Sequence, residues 1–479
     1  MFLYSLLHTA LNVLEYGGFA MKKVNILMAL LITGYILGIW SFLVVPKYYI
    51  VFGLKGFLIS LVPSIVALFL AYNEAQSTKK TRYLIYEFFT RVARTPSVVF
   101  TLLMFLLIIL GVTAYASGWG LVYLFGGTSE YVIPLAILTI LLASLLLMLA
   151  KGKALEFISG ISVLMILFTV ISTILIRDRA LKVVTSEQAK YYMGNAVSSI
   201  TSFNHPLTVE GIIMLLVSIV IAFGLGAGVY YVLGSFAPED LDFKRVLVVV
   251  FFFQIILSFA AAYTIAYSLG PAFQAFEQSV HNPNINPEES LKLYSQFMAL
   301  QAYATNSTTP LPQSITVFYM IPQIIRGNIP GAETIIFLLI LSFYFAGLTT
   351  IIVLIEMGTQ VLSEVMQLER TKGLAGVSLI GIAISVVMTA GFARTMFFAV
   401  PFSVGAIIAL VEAYPVVKSG ILRRRSAVLL SMILLAFVGF FALYYSFRSQ
   451  SDAVKLGAIL GLVLLVPLFM NRIFLRSRR

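Results

Sequence analysis

The sequence predicts an all-α polytopic membrane protein with twelve transmembrane helices. Composition is the first reason: 60% of residues are hydrophobic and 11% charged, against roughly 45–50% and 25% in soluble domains. The second is that apolar runs long enough to cross a bilayer, about 20 residues each, recur twelve times. The third is that Lys and Arg collect at the ends of those runs. A soluble chain of 479 residues would divide into about three domains, but one this apolar could not cover its own surface. Twelve spans occupy about 240 positions and leave the rest for loops and longer helices.

The runs fall at 24–50, 53–75, 97–125, 131–150, 155–176, 209–236, 244–270, 333–363, 374–393, 396–417, 426–447 and 454–475. With both termini cytoplasmic, about two thirds of the 32 Lys and Arg residues lie in the N-terminal segment, 76–94, 151–154, 237–245, 364–373, 418–425 and the tail. The remainder sit chiefly in long loops, which the positive-inside rule discounts. A multi-pass protein of the cell membrane, with cytoplasmic N- and C-termini and lipid neighbours, is therefore predicted. Residues 1–20 form an N-terminal extension. Met1–Val13 is too short to span and lacks the basic start and cleavage site of a signal peptide, which leaves a mis-assigned start or an interfacial helix. Residues 21–420 form the core, and 421–479 add two C-terminal helices. External loops are predicted at 177–208 and 271–332, the second with amphipathic segments near 288–303 and 312–326. A loop that long usually serves as a lid or gate.

Several chemistries are excluded. The chain has no cysteine, so there are no disulfides, zinc–thiolate sites or cysteine nucleophiles. His8, His205 and His281 are scattered, without the close pairing of a metal site. Neither a Walker loop nor HExxH occurs, and GxSxG is also missing. The net charge of +12 sits at span ends, so nucleic acid is not an expected partner. The chain is not expected to be an enzyme.

Two spans carry glycine interruptions. Span one contains Gly34-Tyr-Ile-Leu-Gly38-Ile-Trp40-Ser41-Phe42-Leu-Val44-Val-Pro46, and span six contains Ala222-Phe-Gly224-Leu-Gly226-Ala227-Gly228. Broken spans at corresponding places, five spans apart, point to a five-plus-five inverted-repeat transporter with a midplane site. Unwound backbone at that depth is tolerated only where it lines a site or is buried in protein. In span eight, Thr349 and Thr350 place adjacent hydroxyls in a helix, with the Ala346 carbonyl on the same face. Such oxygens suit a hard cation, although a Thr hydroxyl in a helix can also bond back to its own backbone.

These strings, in this order, resemble the neurotransmitter:sodium symporter family, especially its prokaryotic amino-acid transporters. Gly53-Leu-Lys-Gly56-Phe57 stands at the family's glycine-rich turn, Glu74 near its span-two glutamate, and Phe345-Ala346-Gly347-Leu348-Thr349-Thr350 looks like its F-A-G-L-T-S. The resemblance covers about residues 24–415. It implies a Na⁺ site of Gly34, Leu37, Ala346, Thr349 and Thr350. A possible second cation site would use Ser41 and Gln254, but its third position is Ala222, which has no side-chain oxygen, so one sodium is expected. By family position the substrate pocket is lined by Ile36, Trp40, Ile109, Thr113, Ile221, Gly224, Ala227, Thr350 and Leu354, with Tyr115 close to the carboxylate-binding position.

The gates depart from the family. Its outer arginine is Val44 and the acidic partner is near Phe397, so an apolar plug of Phe42 and Phe398 is expected there. At the inner gate Glu364 would pair with Lys22 or Lys23. Glu356, two turns beyond Thr349, would line the exit path or carry a proton. Glu74 and Glu412 are further acids in or near apolar runs, where charge is costly and usually marks a pathway or a partner. The function implied is sodium-coupled symport of a small organic solute, plausibly an amino acid. The alternatives are a membrane-embedded enzyme or flippase for a lipid-linked substrate, or a non-transporting sensor of the same fold.

Overall fold

The structure is a computed structural model that describes residues 22–36, 38–125, 129–149, 154–282, 285–307, 311–421 and 425–476. The extension 1–20 and Leu37 lie outside the described residues. Every regular element among those described is helical. Ten helices are long and apolar enough to cross a membrane, eleven if one bent pair is counted. Two further apolar helices, Val209–Ala222 and Val229–Phe236, are each too short to cross alone.

The first broken pair has α1 (Lys23–Ile36) as one half and α2 (Ile39–Leu43) with α3 (Val45–Val51) as the other, with a bend of 55° between the halves. Next come α4 (Gly53–Thr81), α5 (Pro96–Phe125), α6 (Val132–Leu149) and α7 (Ala154–Val183). The predicted loop 177–208 is largely helical: α7 runs seven residues past the expected boundary, and α8 covers Glu187–Thr201. Ser186 caps α8 by accepting the Ala189 N–H. The second broken pair is α9 (Val209–Ala222) and α10 (Val229–Phe236).

Helix α11 (Phe243–His281) extends beyond the membrane-length run and leads into α12 (Pro287–Thr305) and α13 (Leu311–Asn328), where two amphipathic segments were expected. Then follow α14 (Ala332–Met366), α15 (Arg370–Val387), α16 (Gly391–Ser419), α17 (Arg425–Arg448) and α18 (Asp452–Val463). Past α18 the chain continues through a 3₁₀ turn into α19 (Asn471–Arg476).

Burial separates centre from rim. In the apolar windows of α5, α14 and α16, 83%, 78% and 78% of residues are buried, against 33% for α17. A span buried all round belongs inside a helical assembly, whereas α17 turns its Leu430, Ile433 and Phe440 outward. Helices α17 and α18 pack on α16, and the chain end reaches α5, where Asn471 accepts from the Ser97 hydroxyl at 2.9 Å. The broken pairs lie within this frame. Helix α1 packs on α7, and α10 packs on α4 so closely that a Cβ on Gly234 would strike the Ala75 carbonyl. Lys79 and Arg82 at the end of α4 also bond the carbonyls beyond α10, with Lys79 Nζ 2.6 Å from the Leu241 oxygen and Arg82 2.6 Å from that of Ala237.

Candidate functional site

In a continuous helix the carbonyls of Gly34, Tyr35 and Ile36 would accept from the N–H groups four residues on. The break removes that regular pattern, and each carbonyl takes a side-chain hydroxyl. Thr349 Oγ1 lies 2.8 Å from the Gly34 oxygen and 2.8 Å from that of Phe345 on its own helix, Thr350 Oγ1 is 3.1 Å from the Tyr35 oxygen, and Ser41 Oγ reaches Ile36 at 2.8 Å. The two threonine hydroxyls also lie 3.1 and 2.9 Å from the Ala346 carbonyl. Glycine permits this approach: a Cβ on Gly38 would overlap Thr350 Oγ1, and one on Gly34 would overlap Ser162 Oγ.

The structure thus brings Gly34, Ala346, Thr349 and Thr350 together from helices more than 300 residues apart, with Tyr35 added. Its carbonyl and hydroxyl oxygens are hard, neutral donors of the kind a group 1 or group 2 cation takes. Among the described residues no group of three or more His, Asp or Glu side chains could hold a metal ion.

The second break is built differently. Gly224, Gly226 and Gly228 have φ of +70°, +95° and +76°, a conformation that glycine adopts without a Cβ penalty. Glu412 of α16, fully buried, accepts the Gly226 N–H and, at 2.7 Å, the Gly228 N–H. Its backbone carbonyl takes the Tyr231 hydroxyl at 2.7 Å. A carboxylate is well placed at the N-terminus of α10, where the helix dipole and unmatched N–H groups favour negative charge. Tyr35 joins the breaks, for its ring packs at Gly224 and its hydroxyl donates to the Gly224 carbonyl at 3.2 Å.

Most of the residues expected around a substrate are buried, Gly224 only partly. Ile36, Trp40, Ile109, Thr113, Ile221, Ala227 and Leu354 are each at most 6% exposed. Trp40 Nε1 and Thr113 Oγ1 have no hydrogen-bond partner in the structure. Buried polar atoms are rarely left so. Trp40 packs edge-on against Phe398 and Phe402, with ring centroids 6.3 and 5.6 Å away. The aromatic closure is therefore made by Trp40 rather than by Phe42 on Phe398; Phe42 packs instead on Phe343 at 5.5 Å. Val44 is buried and Phe397 partly so. One turn before Phe398, Arg394 is 3.4 Å from the Tyr115 hydroxyl.

The expected inner pairing is not formed. Lys22 pairs with Asp240 at 3.2 Å and Lys23 with Glu156 at 3.1 Å, because both lysines reach the segments beside the start of α1. Glu364, near the end of α14, instead accepts the Tyr86 N–H at 3.1 Å. Glu356 pairs with Arg370 at 2.7 Å. It also lines a cavity of about 390 Å³ together with Leu31, Ile158, Val232 and Ile352, on the side where α1 begins.

Of the second cation pair, Ser41 is engaged by Ile36, and the buried Gln254 amide has no partner at either atom. Three contributors were missed in the sequence: Tyr35, Glu412 as the clasp of the second break, and Arg394. Tyr35 had a signal, a phenol inside a glycine-interrupted span; Arg394 had only its place at the start of a span.

No family model matches the sequence, and no curated protein does. Among solved structures the chain is similar to MhsT in complex with L-phenylalanine, with a TM-score of 0.56 and 13% identity over 88% of this chain and 99% of that one. The likeness is one of fold, an all-helical membrane protein of the architecture the broken helices predict.

Proposed function

We propose that the chain is a sodium-coupled carrier of a small organic solute of the amino-acid class, working by alternating access. The observation that carries this reading is the junction of the first break with α14, where Gly34, Tyr35, Ala346, Thr349 and Thr350 present oxygen atoms to one another. Sodium, when bound, supplies a positive charge that the carbonyls and hydroxyls can share. The chain's part is to hold α1 against α14 through Thr349 and Thr350. Turning those hydroxyl protons away would free their lone pairs for a cation and loosen the same contact when it leaves.

The closure by Trp40, Phe398 and Phe402, together with the cavity beside Glu356, fits a form shut on one face and hollow on the other. Lysines and arginines collect at the predicted cytoplasmic ends, which makes the hollow face the cytoplasmic one in this reading. The unpartnered Trp40 Nε1–H and Thr113 hydroxyl would meet a polar group of the solute. MhsT was solved with an amino acid, which supports the substrate class.

The test is thermal unfolding of the purified protein in Na⁺ against K⁺, with and without a panel of amino acids. The expected result is stabilisation by sodium, increased further by at least one amino acid and absent in the double variant Thr349→Val, Thr350→Ala. A double variant that keeps the full sodium response places the cation elsewhere and overturns the site.

A further inference from the structure

Glu74 is fully buried on α4, and neither of its carboxylate oxygens has a hydrogen-bond partner. No other acid among the described residues is in that condition. Glu412 is equally buried but holds two backbone N–H groups. The two acids flank the first turns of α10. Thr78, one turn after Glu74, donates to the Tyr231 carbonyl at 2.6 Å, and the Tyr231 hydroxyl donates to the Glu412 carbonyl.

Glu412 is the acid whose charge acts on Glu74; both act on Tyr230 and Tyr231, and Glu412 acts also on Tyr35. Among the described residues no Lys, Arg or His donates to either Glu74 oxygen. Two ionised carboxylates could not share such a site without a counter-charge. The two N–H groups favour a charge on Glu412 over one on Glu74, whose oxygens have no such partner.

We propose that Glu74 is a proton-binding site that exchanges its proton as the second broken helix moves. The step is simple dissociation: the Glu74 O–H bond breaks, its electron pair stays on the carboxylate, and the proton passes to water. The resulting anion repels Glu412 across α10 and draws on the clasp at Gly226 and Gly228. Proton occupancy is thereby linked to the shape of the break. The link to solute movement rests on the carrier reading; the proton site does not.

Infrared difference spectroscopy of the full chain in lipid, titrated between about pH 5 and pH 9 where buried carboxylic acids exchange, tests this directly. A protonated-carboxyl band that fades as pH rises is expected. Glu74→Gln should lose it, while Glu74→Asp, which keeps a carboxyl, should shift it. A band unchanged across that range marks a permanently neutral structural acid and overturns the proposal, as does a band retained in Glu74→Gln. A band that Na⁺ abolishes at constant pH makes this a cation site instead and also overturns it. If the protein proves to take up no amino acid, the carrier reading fails while the infrared titration still decides the proton site.

Discussion

At the first break, around Ile36 to Ile39, the backbone groups met by side chains are carbonyls, and their partners are the neutral hydroxyls of Thr349, Thr350 and Ser41. At the second, from Phe223 to Gly228, the groups met by Glu412 are N–H groups and the partner is a carboxylate. Carbonyls left by a helix that has just ended suit a cation, and N–H groups at the start of the next suit an anion. The molecule therefore supplies one acid of its own at the second break and meets the carbonyls of the first with neutral hydroxyls. The second break is clasped by one buried acid through two backbone N–H groups, while the first is closed by hydroxyl contacts that can be exchanged.

Removing the lock should have the largest effect. Glu412→Ala leaves two buried donors unpaired, at about 1–3 kcal/mol each, so a stability loss of about 3 kcal/mol or more is expected in denaturant-titrated micelles. Glu412→Gln keeps one acceptor oxygen and should lose about half as much. A loss under about 1 kcal/mol for Glu412→Ala would show that the N–H groups find other partners and that the carboxylate is not the lock.

The glycines separate the breaks by a second criterion. Gly226 has φ +95°, and a Cβ there would lie 2.9 Å from Phe105. Gly226→Ala should therefore cost about 1–3 kcal/mol through backbone strain, and trimming Phe105 should not restore it. Gly38 has φ −49°, which any residue adopts, so the chief obstacle to Gly38→Ala is the Thr350 hydroxyl, with the Tyr35 carbonyl a lesser one at 3.1 Å. Adding Thr350→Ala should recover most of that loss. A double-mutant cycle reads both cases, and equal rescue at the two sites would erase the distinction.

The sequence shows the breaks more clearly than their partners. Glycines interrupting two apolar runs mark where helices must open, and adjacent threonines in a third run mark hydroxyls for the freed carbonyls. Those are local signals, legible within a few residues. The clasp of Gly226 by Glu412 joins positions 186 residues apart, and no spacing rule connects a buried acid to a distant N–H. The inner pairing failed for a related reason: Lys22 and Lys23 had acids nearer than Glu364, at Asp240 and Glu156. Helix ends were also misjudged where polar stretches hid helices, as in α8, since a capped helix outside the membrane need not be apolar.

The smallest expected effect concerns Ser41, which could be either a cation ligand or a local plug for one carbonyl. Its hydroxyl donates to Ile36 at 2.8 Å, five residues back on the same strand of chain, and Ala222 has no side-chain oxygen to join it. A hydroxyl used in this way stabilises the break without taking part in ion binding. Ser41→Ala should then lower stability by about 1 kcal/mol, the usual net worth of one such hydrogen bond. The sodium concentration for half-maximal thermal stabilisation, and the steepness of that curve, should be unchanged. Thr349→Val alone, by contrast, should shift the sodium midpoint upward. If Ser41→Ala flattens the sodium curve, Ser41 belongs to a second ion site. The first break would then hold two cations against the single carboxylate clasping the second.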